Sequence, residues 1–437
     1  MKRFIRAVLP AFLLAVSVGQ IYAFTNFSTE IAQYIGETQK NVQFAFSLGI
    51  FFLGMGAAFF GKIVEKNIRL STIIGTTLFL SGLLVTEAGI HMKSLAMIYL
   101  GYGFLIGLGT GVIYISPVKT MMLWFPEHKA IAAALPIISF GLGSTLSTIL
   151  FSGIHWGTPG SSVAVFQLRG FMDYGITNVF HAYAIFYAVP MVIACFLLKK
   201  PKIQVQSFGH GIPELEFSYF ELLGLDFSSF WNFVKSCFRW NFFRRSWLFM
   251  FLNISAGLCL IPLAKQMMSS PDVYGDNVKL ITWIVALSGL MNGGGRFLFA
   301  WWSDRLAKRI NILLIILAIS AGIMLASFLP ILIGLALLVI NACYGAGFSV
   351  IPAILADHYG MTNISKIHGA VLSAWGFAGL AGNQAAMAVS KAFGGYGEGG
   401  HGYVAVVALL VIVYSLNFVN VLLLKKSAAS TIATATP

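Results

Sequence analysis

Twelve long apolar runs determine what this chain can fold into. Each holds about 20 mostly apolar residues, the length that an α-helix needs to cross the hydrocarbon core of a bilayer. Of the 437 residues only 10% are charged, whereas soluble proteins carry about 25% charged residues. The sequence therefore predicts an all-α polytopic membrane protein with twelve transmembrane helices. The predicted spans are 5–27, 42–62, 70–91, 95–121, 130–153, 181–199, 247–268, 278–302, 310–329, 331–356, 367–392 and 402–424.

The net charge of +13 is distributed unevenly between the two sides of the predicted membrane. With the N-terminus inside, 20 of the 28 Lys and Arg fall in cytoplasmic segments and five in exterior segments. This is the positive-inside asymmetry, and it predicts that both termini are cytoplasmic. Topology thus explains the basic charge, and we expect the lipid bilayer but no nucleic acid as a partner. A plasma membrane or a bacterial inner membrane is the expected location.

The longest polar interruption divides the twelve spans into two groups of six. We expect six-helix halves at 1–199 and 247–426, a cytoplasmic linker at 200–246 and a cytoplasmic tail at 427–437. Apolar side chains recur at helical spacing over 227–238, which predicts a short interfacial helix in the linker, with a partner-docking helix as the alternative. Two such halves resemble the architecture of the major facilitator superfamily, whose substrate site lies near the bilayer midplane.

A cation stands within the eighth apolar run. Arg296 lies in the run 281–302, which contains no Asp or Glu. A guanidinium stays protonated, so placing it at membrane depth costs free energy unless an anionic or polar group answers it. An anionic ligand is the simplest such group, and this makes Arg296 the leading candidate for substrate binding.

Charged clusters follow the eighth and the second runs. Asp304, Arg305 and Arg309 resemble the loop motif of major facilitators, in which an acid and basic residues latch helices in one gating state. The loop after the second run carries Glu65 and Arg69, with glutamate where aspartate is usual, so it departs from that pattern. The alternative for both clusters is simple positive-inside charge at the headgroups.

Four segments resemble a particular family of major facilitators. Residues 114–126 (YISPVKTMMLWFP), 292–304, 344–352 and 368–376 are similar to segments 4, 8, 10 and 11 of the oxalate:formate antiporter family. The resemblance implies transport of small carboxylates, with Arg296 pairing to the substrate carboxylate through its planar fork. The family's oxalate transporter has a second cation, a lysine, where this chain has Trp375. One fixed cation favours a monocarboxylate such as formate, lactate or pyruvate.

The same resemblance suggests which side chains line the cavity. Tyrosines offer a flat apolar face and a hydroxyl donor, which suits a small organic anion. Phe348 stands where the oxalate branch has a tyrosine, and for each of these residues ordinary helix packing is the alternative. The candidates beside Arg296 are Tyr22, Tyr114, Tyr344, Trp375, Asn292, Gln20 and Phe348.

The residue one turn before Arg296 bears on the mechanism. Related transporters that carry a proton with a monocarboxylate have an aspartate there, whereas this chain has Asn292. We therefore predict exchange of one carboxylate for another by alternating access, and we expect a monomer that uses no metal or cofactor. The alternatives are proton symport, a neutral or cationic solute, and a membrane sensor that does not transport. The helices hold no nucleophile–base pair or metal-ligand spacing, so an enzyme is not expected.

Overall fold

The computed structural model describes residues 1–147, 154–156, 163–166, 175–201, 232, 235, 237–270, 273–275, 277–395 and 401–433. The predicted interfacial helix at 227–238 lies largely outside these residues, as does half of the predicted exterior loop at 154–181.

The first half of the sequence forms helices at all six predicted spans. The first span opens with a π-helical turn at Phe4–Val8, continues as α1 and ends as a 3₁₀ helix at Gly19–Asn26. A second π-helical stretch, Tyr99–Ile106, joins α5 to α6 within the fourth span. The helices are α1 (Leu9–Val18), α2 (Ser28–Ile35), α3 (Gln39–Lys66), α4 (Ile68–His91), α5 (Leu95–Ile98), α6 (Gly107–Trp124), α7 (Lys129–Ser147) and α8 (Val179–Leu197).

Two small elements lie outside the predicted spans. The short helix α2 ends where Gly36 takes a left-handed backbone conformation with φ 78°, which glycine adopts without steric cost. In the exterior loop, β1 (Ile154–Trp156) pairs with β2 (Val163–Phe166) as an antiparallel two-stranded sheet. This hairpin adds a minor β element to an otherwise helical protein.

The second half of the sequence also forms helices at its six predicted spans. A 3₁₀ turn at Pro330–Leu332 precedes the fourth of them. The helices are α9 (Asn241–Met268), α10 (Val278–Ser303), α11 (Asn311–Ala326), α12 (Ile333–Tyr359), α13 (Ile364–Ala392) and α14 (Gly402–Ala433).

Side-chain caps and apolar length explain these helices. Thr38, Asn67 and Asn277 each accept a hydrogen bond from a backbone N–H in the first turn of the helix that follows. Among the described residues, eight helices are long and apolar enough to cross a membrane, and α11 is a shorter apolar helix. Helices α9, α10 and α13 have 28, 26 and 29 residues, so each is at least about 39 Å long. Apart from the hairpin of β1 and β2, the described fold is helical and polytopic, as predicted.

The chain forms two compact units. Unit 1 comprises Met1–Pro126, Leu135–Gln204 and His368–Ser373, and unit 2 comprises Glu127–Ala134, Val205–Ile367 and Ala374–Pro437. Within unit 1, α6 packs on α3 and α4. Within unit 2, α10 packs on α12, and α14 packs on α9 and α11.

Glycines permit the closest of these helix contacts. In unit 1, a β-carbon at Gly111 would overlap the carbonyl oxygen of Leu53, so α6 approaches α3 at backbone distance. Small residues allow such contact in lipid, where dispersion and polar contacts replace the hydrophobic effect between helices.

Candidate functional site

Arg296 is held where α10 meets α12. The residue is only 8% exposed. A β-carbon at Gly295 would overlap the backbone of Ala342, which shows how closely the two helices approach. A β-carbon at Gly345 would lie 2.9 Å from the Arg296 Cγ and would overlap the carbonyl oxygen of Asn292. The arginine stem therefore rests on the bare backbone of α12, and glycine is the residue that leaves room for it.

An aromatic row begins at the guanidinium. The Arg296 Cζ lies 5.9 Å from the ring centroid of Phe348, within the range of a cation–π contact. The rings of Phe348 and Tyr344 are 5.3 Å apart at 70°, and those of Phe348 and Trp375 are 4.6 Å apart at 63°. Helices α10, α12 and α13 thus bring four of the predicted site residues together in unit 2. The result is a buried cation bounded by flat apolar surfaces.

Three amides lie on the helices α9, α10 and α12 of unit 2. The half-buried Asn292 donates to the Asn341 Oδ1 at 3.4 Å, and Asn341 in turn donates to the Leu337 carbonyl at 3.0 Å. Asn253 of α9 is buried, and its Nδ2 has no hydrogen-bond partner among the described atoms. Asn253 and Asn341 were not predicted from the sequence, although an amide within an apolar run is a signal that could have found them.

The remaining predicted cavity residues lie in unit 1. The rings of Tyr22 and Tyr114 both contact Phe140, with centroids 5.6 Å away in each case. Gln20 is fully buried. The sequence analysis did not single out His368, yet its ring lies 6.4 Å from that of Tyr114 and its Nε2 has no hydrogen-bond partner among the described atoms. Unit 1 therefore contains an aromatic group with a buried imidazole beside it.

Asp304, at the end of α10, caps another helix. Its Oδ1 and Oδ2 accept hydrogen bonds from the backbone N–H groups of Ala130 and Ile131 at 3.1 and 3.0 Å. Arg309 donates to the Asp304 Oδ1 at 2.8 Å. A carboxylate at a helix N-terminus is stabilised by the orphan donors and by the helix dipole. Asp304 therefore ties the first turn of α7 to the end of α10 within unit 2.

A second acid extends this cluster. Asp357 near the end of α12 pairs with Arg309 and, at 3.0 Å, with Lys129. Arg305 lies elsewhere, with its guanidinium 3.7 Å from the ring centroid of Trp301. Of the predicted latch residues, Asp304 and Arg309 are joined, and Lys129 and Asp357 are additional members. We call Lys129, Asp304, Arg309 and Asp357 the ionic cluster of unit 2.

The first-half counterparts have different contacts. Glu65 pairs with the buried Lys119, and the Glu65 carbonyl accepts a hydrogen bond from Lys200 at 2.6 Å. Arg69 donates to the Phe196 carbonyl at 3.3 Å. These contacts connect the ends of α3, α4, α6 and α8 within unit 1.

The helical architecture and the buried cation agree with the sequence comparisons. The profile described as Major Facilitator Superfamily matches residues 10–383, which is most of the chain. The chain belongs to the major facilitator superfamily. It is accordingly a multi-pass integral membrane transporter and not an enzyme, as predicted.

Two curated members of the major facilitator superfamily align with most of this chain. The Uncharacterized MFS-type transporter YhjX of Escherichia coli (strain K12) is 23% identical over 374 residues, which cover 83% of this chain and 83% of the relative. The oxalate:formate antiporter of Oxalobacter formigenes is 22% identical over 405 residues, which cover 90% of this chain and 86% of the relative. The second match supports the predicted resemblance to the oxalate:formate antiporter family.

Solved major facilitator structures share the fold. The human organic anion transporter MFSD10 superposes with a TM-score of 0.67 at 13% identity, covering 96% of this chain and 99% of that one. The E. coli fucose:proton symporter FucP superposes with a TM-score of 0.63 at 15% identity, covering 95% and 98%. At such identities the likeness establishes the major facilitator fold and nothing about the substrate.

Proposed function

We propose that this transporter exchanges small monocarboxylates across the membrane by alternating access, with Arg296 binding the carboxylate. The observation that carries the proposal is the buried guanidinium against the Phe348 ring, beside Tyr344 and Trp375. A guanidinium fork presents two parallel donors to a carboxylate, and the surrounding low dielectric strengthens that pairing. Aromatic faces suit the short apolar part of such an acid.

Trp375 supports a single carboxylate per substrate. Its indole is 3% exposed and packs on Phe348, and Arg296 is the one fixed cation that we assign to the site. A dicarboxylate would bring a second negative charge against this apolar ring, and desolvating that charge without a partner is costly. Formate, lactate and pyruvate each carry one carboxylate and fit this arrangement.

Asn292 supports exchange. A bound carboxylate neutralises the guanidinium, so the loaded transporter changes conformation with less buried charge than the empty one. The Asn292 amide does not titrate, so it cannot compensate the positive charge of Arg296 when the substrate leaves. The alignment with a relative named as an oxalate:formate antiporter also supports the proposal of exchange.

Proteoliposomes test both parts of the proposal. We expect labelled formate, lactate or pyruvate to enter vesicles loaded with unlabelled acid and to enter empty vesicles far more slowly. Arg296→Gln should lower exchange at least about a hundredfold, because it removes the charge-assisted hydrogen bonds to the substrate. Lys279→Gln, which removes an exposed charge at the other end of α10, is the matched control and should transport normally. Equal uptake by empty vesicles would contradict exchange, and an active Arg296→Gln variant would contradict the site.

One observation favours proton-coupled symport as a second candidate. The buried imidazole of His368 beside Tyr114 is a titratable group that the sequence analysis did not single out. The same vesicles separate the two functions. A proton gradient that drives net uptake into empty vesicles indicates symport, whereas uptake that needs internal acid and ignores the gradient indicates exchange.

A further inference from the structure

A basic cavity opens at one end of unit 1. It encloses about 390 Å³ and lies where α3 ends, α4 begins and the chain leaves α8. Four cations line it, namely Lys66, Arg69, Lys199 and Lys200, and the described lining contains no carboxylate side chain. We call this the basic cavity.

Hydrogen bonds fix the walls of the basic cavity. The Lys199 N–H donates to the Arg6 carbonyl at 3.1 Å, and the Lys199 carbonyl accepts from the Trp124 indole at 2.8 Å. Arg69 donates to the Phe196 carbonyl at 3.3 Å. The segment after α8 is thereby tied to the first helix and to α6, and the last turn of α8 is tied to α4, so the cavity is part of the packed fold.

The charges of the basic cavity repel one another. The guanidinium groups of Arg6 and Arg69 lower the pKa of Lys199 below the usual value of a lysine. The N-terminal end of α4, which Asn67 caps, adds the positive end of a helix dipole. An anion bound here relieves this repulsion, and a phosphate group offers several acceptor oxygens to several cations at once.

An apolar stripe leads to the basic cavity. Val189, Ile193 and Phe196 lie one turn apart on α8 and are 63%, 45% and 67% exposed. In a membrane protein such a stripe faces acyl chains. The stripe ends at Phe196, whose carbonyl receives the Arg69 hydrogen bond. A lipid whose acyl chains lay along α8 would therefore have its headgroup beside the four cations.

We propose that the basic cavity binds the phosphate group of an anionic phospholipid whose acyl chains lie along the exposed face of α8. Basic pockets between transmembrane helices take anionic headgroups in this manner. The cavity is separate from the substrate residues, so the proposal stands whether or not the protein exchanges carboxylates.

Native mass spectrometry of the full chain in detergent tests the proposal. Phosphatidylglycerol is the anionic probe, phosphatidylcholine the neutral lipid, and inorganic phosphate the free anion. We expect the wild type to retain phosphatidylglycerol in preference to phosphatidylcholine. The double variant Arg69→Gln/Lys199→Gln should lose about tenfold or more of that affinity, since each near-surface cation contributes to anionic lipid binding. Val189→Ser/Ile193→Ser should also weaken retention, because it removes the apolar stripe.

Two further variants separate charge from folding. Arg69→Lys/Lys199→Arg keeps both charges and should keep phosphatidylglycerol. Lys308→Gln/Lys426→Gln removes two exposed lysines outside the cavity and should bind as the wild type does. Equal loss in this control would overturn the proposal, because the effect would then be net charge alone. Displacement of phosphatidylglycerol by millimolar inorganic phosphate would overturn the lipid assignment and place a free anion in the cavity.

Discussion

At the scale of single residues, the candidate site depends on a glycine that leaves room for the arginine side chain. Arg296 is a long cation, and its stem fits because Gly345 has no β-carbon. Phe348 then faces the guanidinium, and Trp375 closes the aromatic row. The charge thus comes from α10, the clearance from α12, and the apolar wall from α12 and α13.

Replacing Trp375 tests the predicted stoichiometry. Trp375→Lys adds a second cation to the aromatic row, so we expect oxalate to compete for the site at least about tenfold better, as a charge-assisted pair contributes about 1.5–3 kcal/mol. Inhibition of labelled monocarboxylate exchange by oxalate measures this. Trp375→Phe keeps an apolar ring and should leave oxalate a poor competitor. If oxalate inhibits Trp375→Lys and Trp375→Phe equally well, the loss of the indole rather than the new charge is responsible. The argument from a single cation would then be wrong.

At the scale of helices, three consecutive glycines of α10 differ in how closely they approach a neighbouring helix. Gly293 and Gly294 have nothing within 4 Å of a built β-carbon, whereas at Gly295 that atom would overlap the Ala342 backbone. Three consecutive glycines therefore play two different parts. Only the third permits the approach of α12 that positions the next residue, Arg296.

This difference predicts that replacing glycine by alanine changes the free energy of unfolding differently at the two positions. Gly295→Ala should lower the free energy of unfolding by about 1–3 kcal/mol, since overpacking against backbone cannot be relieved by a side-chain rotation. Gly293→Ala should leave it unchanged or raise it slightly, because alanine has the higher helix propensity. Denaturant titration in mixed micelles measures both, and equal effects would contradict the close contact of α10 with α12.

The sequence predicts these helices well because apolar length is a local property. All twelve spans correspond to described helices, and Arg296 stands out because a charge in an apolar run is conspicuous. The sequence did not predict the helix α2 or the hairpin of β1 and β2, because each has too few residues to show a clear hydrophobic periodicity. Lys129 and Asp357 were missed for another reason: each is an ordinary charge in its own segment, and only the fold brings the two together.

At the scale of the whole molecule, chain order and compact units do not coincide. Residues 127–134 pack with unit 2, although the rest of the first 204 residues belongs to unit 1, and 368–373 pack with unit 1. The ionic cluster of unit 2 accounts for the first exception, because Lys129 and the first turn of α7 bind acids that lie more than 170 residues further along the chain. We propose that the ionic cluster opens during the transport cycle, and we therefore expect its strength to be moderate.

A double-mutant cycle measures that strength. Lys129→Ala and Asp357→Ala, singly and together, should show a coupling of about 0.5 kcal/mol, since Asp357 is 39% exposed and water screens the pair. Denaturant titration in mixed micelles gives the four unfolding free energies. The matched cycle pairs Lys129→Ala with Glu37→Ala, an exposed acid of unit 1, and should show no coupling. A coupling of equal size in both cycles would contradict a specific pair.

Asp304 recognises α7 through main-chain donors only. Ala130 is fully buried, so packing restricts its side chain, whereas Ile131 is half-buried and its amide remains whatever side chain stands there. Proline is the exception, because it has no amide hydrogen to give. We therefore expect a library randomised at 131 to be depleted of proline while other residues of similar size persist.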